Sequence, residues 1–444
     1  MPKLHDFQRE VIEGLSDLQR QGRGRRRAVV SLPTGAGKTR AVAEAAVQLV
    51  LAPDARPDGR APLVLWVAQA EELCEQAIET FRAVWAHRGR AARPLRVLRL
   101  WGGHPSPSPR DNADPTLVVA TIQTLAMRRE LEALAWLRRP ALVVIDECHH
   151  SVAPSYTELL RFVGAAVGSE RRAEEPMLVG LSATPFRADD EESRRLSARY
   201  DRRVLPAPET QESLPKELVK RGVLAQAELT AAEVPFRADW PEQERFLELL
   251  EMYERLGRAA EGSGQEGETA ADRERIGIEL EQLLEGGNQC LALDERRNRM
   301  LIERIREHRA RSVLLFANSL EHAERLAARL TLAGIPAAAV HGETDRGTRR
   351  YHIERFRAGE LRVLCNYQLL SVGFDAPQVE LVVISRLVFS RVRYMQMVGR
   401  GLRGPKNGGT ERCEVLTLID NIGRFPSLHP WHYAKEYFDR IGAG

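Results

Sequence analysis

What limits the fold of this chain most is a pattern that runs once and then restarts. Short, predominantly apolar runs occupy residues 28–32, 63–67, 96–100, 117–120, 141–145 and 178–181, each leading into a stretch of helical periodicity. The series begins again at 312–316, 337–340, 361–365, 380–384 and 414–419. Runs that are apolar throughout, rather than alternating, suit parallel strands buried on both faces. Strand–helix alternation then predicts doubly wound α/β sheets, and the restart predicts two of them. A length of 444 residues, beyond one ordinary core, agrees.

The composition changes between the two series. From about Phe236 to Arg309 there is no strand signal, only charged, helix-favouring sequence broken by a Gly/Ser/Glu stretch at 261–268. The expected division is residues 1–205 as a first domain, 206–309 as linker and helical insertion, 310–425 as a second domain and 426–444 as a tail. No chemical motif falls in the insertion, so it is expected to be a solvated connector that the nucleotide site does not need. Residues 104–115 read as a proline-rich surface loop.

Net charge is only +3, so no global field announces a polyanion partner, and any nucleic-acid surface must be local. Five scattered cysteines include no CxxC pair, which gives neither a zinc ribbon nor a disulfide framework and fits a reducing cytoplasm. The polar start and the lack of a long apolar run predict a chain with no signal peptide and no membrane span.

The run at 28–32 leads into Pro33-Thr34-Gly35-Ala36-Gly37-Lys38-Thr39, and a helix follows. Glycines let backbone N–H groups turn toward phosphates, and the helix N-terminus adds the positive end of its dipole. Lys38 is expected to reach the β and γ phosphates and Thr39 to ligate magnesium. Leu32 stands where the strict P-loop pattern has a small residue, so the match is to a variant. The run at 141–145 ends in Asp146-Glu147-Cys148-His149-His150. A carboxylate at a strand end beside the P-loop can hold magnesium, which is the role expected of Asp146. Its neighbour Glu147 can orient and deprotonate the attacking water. One cysteine and two adjacent histidines lack the spacing of a zinc site.

These strings resemble the superfamily 2 helicases, with DECH standing where that family has DEAD or DEAH, and the resemblance covers nearly the whole chain. Leu4-His5-Asp6-Phe7-Gln8 resembles the adenine-reading element, which implies a base contact by Gln8 and stacking by His5. Residues 67–76 and 119–125 resemble motifs Ia and Ib, implying backbone contacts to nucleic acid from Gln69, Thr121 and Gln123. Ser182-Ala183-Thr184 resembles motif III, which couples the phosphate site to strand movement through Ser182 and Thr184. In the second half Phe316-Ala317-Asn318-Ser319 resembles motif IV, with Asn318 as a nucleic-acid contact, and Val340-His341-Gly342 the element after it. Residues 369–377, containing Gly373 and Asp375, resemble motif V. Gln396-x-x-Gly399-Arg400-x-x-Arg403 resembles motif VI, and its spacing predicts two guanidiniums one helical turn apart on one face.

The wording of motifs V and VI is nearest to the branch that holds RadD, XPB and the restriction motors (ResIII-like). The cysteine zinc module of RadD is absent, and no nuclease or methyltransferase motif is present. The resemblance implies two tandem RecA-like domains joined by a helical connector, with ATP and Mg2+ bound in a cleft between them. It implies contributions of His5, Gln8, the P-loop, Asp146 and Glu147 from one side, and of Gly373, Asp375, Gln396, Arg400 and Arg403 from the other. The implied activity is an ATP-dependent helicase or translocase, acting on DNA rather than RNA and on forked or single-stranded forms. A rival reading is a nucleotide-switched binding protein, or the motor subunit of a restriction, repair or phage-defence complex whose nuclease is another chain.

Overall fold

The structure is a computed structural model. It describes residues 3–21, 26–33, 35–53, 62–88, 94–102, 104, 114–128, 132–138, 140–165, 175–183, 196–237, 239–263, 267–367, 378–423, 425 and 429–442. The chain divides after Glu217 into two compact units.

The first unit is built on one sheet. Its strands are β1 (Arg27–Ser31), β2 (Leu63–Ala68), β3 (Arg96–Leu100), β4 (Thr116–Thr121), β5 (Leu142–Ile145), β6 (Met177–Ser182) and β7 (Val204–Leu205), in the order β3-β4-β2-β5-β6-β1-β7. Every pairing is parallel. Strands β1, β2, β4, β5 and β6 are buried along their whole length, as runs without alternation require. Trp66 and Phe81 close the layer between β2 and its helix edge to face, with centroids 5.5 Å apart.

The second unit is a six-stranded parallel sheet made of β8 (Gln226–Arg237), β9 (Val313–Phe316), β10 (Ala337–His341), β11 (Val363–Tyr367), β12 (Leu381–Ile384) and β13 (Arg412–Asn421). Its order is β10-β11-β9-β12-β13-β8. Both sheets thus have the doubly wound parallel form that the periodicity predicts. The two strands it does not predict, β7 and β8, are edges. Strand β8 buries Leu229, Ala232 and Val234, exposes Glu228, Thr230, Ala231 and Glu233, and contains Pro235, which an edge tolerates.

The stretch 206–309 is therefore no mere connector. Strand β8 pairs with β13 from Gln226↔Arg412 to Ile419↔Glu233, and the helix Glu295–Glu307 puts Leu301 and Ile305 into the core under β9. The helices Gln243–Ser263 and Gly267–Leu293 join Trp240, Phe246, Leu280 and Leu284 to Leu387, Ile422 and Phe425 of the sheet's far end. The tail forms a helix, Pro430–Gly442, against β8 and the helix Arg391–Gly399, with Ala434 buried.

A polar lock fastens this helical segment to the sheet. Arg297 is fully buried and reaches Asp420 of β13 through Nε at 2.7 Å and Nη2 at 2.9 Å, and it also donates to the carbonyl of Ser385. Asn318 accepts from Arg297 at 3.4 Å and from the Ser385 hydroxyl at 2.8 Å, and donates to Asn288 at 3.0 Å. His322 accepts the Asn318 N–H at 3.1 Å and lies 2.8 Å from Asn298. Charges this deeply buried are tolerated only when paired and hydrogen-bonded.

Candidate nucleotide-hydrolysis site

In the first unit the P-loop leaves β1 where its backbone is still tied to β6, since the Leu32 N–H donates to the Ser182 carbonyl at 3.2 Å. Gly35 and Gly37 lie in the left-handed region (φ 83° and 80°), and the helix Lys38–Ala46 starts at once after Gly37. A side chain at either position would be strained, and a Cβ on Gly37 would come 2.6 Å from the Gln8 amide nitrogen. That nitrogen donates to the Ala36 carbonyl at 3.0 Å, and the Gln8 carbonyl accepts from the His5 N–H at 3.0 Å. Buried Gln8 thus braces the loop from behind, while the His5 ring stacks on Phe7 at 5.4 Å. Thr39 is half-buried in the first turn. Thr34 lies outside the described residues.

Two strands away, β5 delivers Asp146 to the same end of the sheet. Asp146 is buried, and burial first, then the charge of Glu147, pushes its carboxyl up to about 7, with Lys38 pulling it back. Glu147 has a left-handed backbone (φ 50°), which for a non-glycine residue costs of order 1 kcal/mol and turns its carboxylate away from the strand direction. The Glu147 N–H donates to Asp146 at 3.0 Å. His149 approaches Glu147 to 3.5 Å, but burial and Lys38 bring its pKa down to about 4, so at neutral pH it adds no charge. Behind the turn, Gly180 of β6 admits Cys148 and Tyr200 so closely that a Cβ would sit 2.7 Å from both. Only glycine lets the acidic turn lie this near β6.

The motif III residue Ser182 ends β6 in register with Ser31, and Thr184 lies outside the described residues. Gln69 faces the Tyr156 hydroxyl, and Gln123 is exposed. The Thr121 hydroxyl is buried and bonded to Thr124 at 2.9 Å, capping the helix Ile122–Arg128. That is a structural use the sequence pattern does not distinguish from a phosphate contact.

In the second unit the helix Arg391–Gly399 carries Gln396, half-buried, and ends at Arg400. Arg403 is not on this helix. It lies beyond Gly401, in an antiparallel bridge with Leu224, so the expectation of two guanidiniums on one helical face is corrected. Gly401 must approach the sheet, since a Cβ there would collide with Cys413 Sγ and with Val382. Asn318 is fully buried with both ends of its amide engaged, so the expected nucleic-acid contact is corrected as well. Gly373 and Asp375 lie outside the described residues. Sequence reasoning misses Arg297, Asn288 and Glu285. An arginine or glutamate on a helix reads as a solvated face until its burial is known.

Two family models match the chain. Residues 1–187 match "Type III restriction enzyme, res subunit" and residues 296–404 match "Helicase conserved C-terminal domain". The "Putative mitochondrial ATP-dependent helicase irc3" of Schizosaccharomyces pombe is 27% identical over 96% of this chain and 59% of its own length. The "Putative ATP-dependent helicase IRC3" of Saccharomyces cerevisiae is 25% identical over 94% of this chain and 52% of its own. The chain thus spans little more than half the length of these curated relatives. Among solved structures, "The fragment structure of a putative HsdR subunit of a type I restriction enzyme from Vibrio vulnificus YJ016" aligns over 93% of this chain and 63% of that one. Its TM-score is 0.56 at 19% identity, a likeness of fold.

Proposed function

We propose, for a chain that belongs to the superfamily 2 helicases of the ResIII-like branch, that it hydrolyses ATP and couples the hydrolysis to movement along DNA. The observation that carries the reading is the convergence of Lys38, Asp146 and Glu147 at one end of the first sheet, each held by a backbone feature serving that end. Lys38 and the loop N–H groups would bind the β and γ phosphates. Glu147 would orient and deprotonate the attacking water. Arg400, with Gln396 and Arg403, would stabilise charge on the transferred phosphoryl group.

Magnesium suits the donors present. Thr39 and Asp146 offer hard oxygen ligands, and no cluster of three or more His, Cys, Asp or Glu that could hold a metal exists among the described residues. A site with one carboxylate that completes its shell from phosphates and water is the kind magnesium takes. Bound there, the ion would neutralise phosphate charge.

DNA is favoured over RNA because motifs V and VI resemble the DNA-directed branch. Turnover of ATP against matched DNA and RNA forks at two salt concentrations tests this. DNA should stimulate more, and stimulation should fall steeply with salt. Stimulation by RNA equal to that by DNA would sink the DNA assignment. A second reading, the motor of a restriction or repair assembly, draws on the likeness to the HsdR fragment, and pull-down of a nuclease from the native host tests it. No helix among the described residues is long and apolar enough to cross a membrane. Cys74, Cys148, Cys290, Cys365 and Cys413 form no disulfide with one another, which favours a reducing compartment such as the cytoplasm.

A further inference from the structure

The segment that leads from β12 into the helix Arg391–Gly399 is gripped from one side by the two helices Gln243–Ser263 and Gly267–Leu293. Asn288 clasps the backbone of Leu387 twice, accepting its N–H at 2.8 Å and donating to its carbonyl at 3.2 Å. One residue earlier, Arg386 reaches Glu285 at 3.2 Å and lies 5.5 Å over the Tyr367 ring, whose hydroxyl donates to the same Glu285 at 2.7 Å. Two residues later, Phe389 packs edge to face on Tyr253 at 5.5 Å. On the helix itself, Arg393 pairs with Glu281 at 3.1 Å. Glu281 and Glu285 are four residues apart, hence on one face, and Asn288 continues that face. Leu387 completes the grip by entering the apolar cluster of the two helices.

We propose that this helical pair sets the position of the arginine-bearing helix, with Glu281, Glu285 and Asn288 as positioning residues for ATP hydrolysis. The inference rests on the reading that Arg400 acts in hydrolysis. Arg400 is seven residues from Arg393 at the other end of the same short helix, so a shift at one end is carried to the other. Ordinary core packing would need Leu387 and Phe389 in the cluster. It would not need a doubled backbone clasp and two carboxylates spent on arginines that flank the start of one helix. A rigid link of this kind also gives the pair a use. A load on these helices would change turnover without touching the nucleotide.

The test is steady-state ATPase on the full chain with a DNA fork, with melting temperature measured alongside. The variants are Glu281→Arg, Arg393→Glu, the two combined, Glu285→Gln, and Arg400→Ala as reference. Glu281 and Arg393 are part-exposed, and such pairs contribute little to stability, so the single variants should fold. Each should lower kcat about 3- to 30-fold with the KM for ATP unchanged, because small misplacements of a catalytic group are costly. The charge-swapped pair should recover most of the loss, and Glu285→Gln should behave like the singles. Singles that keep wild-type kcat, a swap that restores nothing, or kcat losses that follow losses of melting temperature would each overturn the proposal while Arg400→Ala stays inactive. An Arg400→Ala chain with normal kcat would instead remove the arginine role, and with it the object the helices position.

Discussion

Each unit of the molecule buries a cluster of charge, and the two clusters are built on opposite principles. Around Arg297 every charge meets its complement. The guanidinium is forked onto Asp420, and Asn318, Asn288 and His322 saturate one another. Around Asp146 like charges sit side by side. A buried carboxylate stands beside Glu147, whose backbone is left-handed, and Asp146 is relieved by Lys38 and by the Glu147 N–H. A saturated cluster has nothing left to offer a ligand, whereas one with surplus negative charge and a lysine nearby is prepared for a cation and phosphates. The contrast explains why Asn318, in a motif that elsewhere signals nucleic acid, serves here as an internal strut.

The contrast breaks most visibly if the acidic pair is altered. Glu147→Gln should cut turnover roughly 10²- to 10⁴-fold while ATP still binds and stability is unchanged, and Lys38→Ala should lose hydrolysis as well. Near-normal turnover in Glu147→Gln, read in a phosphate-release assay, would show that another group activates water. In the saturated cluster the penalty should fall on folding instead. Arg297→Ala leaves Asp420 buried without its partner and should cost about 3–5 kcal/mol in a urea melt.

A smaller effect comes from pH. Burial, then the nearby Arg297, holds His322 down to about 3, against an ordinary value of 6.5. The unfolded chain therefore takes up a proton below pH 6.5 that the folded chain refuses. Stability from this group is fully present above 6.5 and drains as pH falls toward 3, by roughly 1–2 kcal/mol near pH 5. Denaturant midpoints at pH 7 and pH 5 for wild type and His322→Gln should show a shallower loss in the variant. Smallest of all, trimming residues 261–268 should leave basal hydrolysis and melting unchanged, because the grip on Arg386 and Leu387 comes from Glu285 and Asn288, well along the second helix. Loss of hydrolysis on that trim would tie the distal end of the helices to the site.

What could be read from sequence followed from burial on two sides. Interior strands such as β2 and β5 are uninterrupted apolar words, so they and the loops at their ends are legible. Edge strands such as β8 carry half the signal and look like linker. Motif wording located the P-loop and the DECH turn, because there the backbone itself is the device. It could not tell where a side chain points once a turn intervenes. Thr121 caps a helix, Arg403 lies past the end of its helix, and Arg297, one arginine among many on a charged helix, turns inward. For Arg297 the choice depends on Asp420, a partner 123 residues away in sequence.

Strand β8 has one further consequence, for the order in which the chain is made. It is the first strand of the second sheet to leave the ribosome, yet its strand partner among the described residues is β13, the last. Until Arg412–Asn421 has been synthesised, Gln226–Arg237 is an unpaired edge, and Trp240 and Phe246 await Ile422 and Phe425. Contacts this distant in sequence fold late and leave apolar surface open to aggregation in the meantime. The nascent second unit therefore has a long interval in which a chaperone has something to hold, while the described strands of the first unit all lie before residue 206 and can already have formed their sheet.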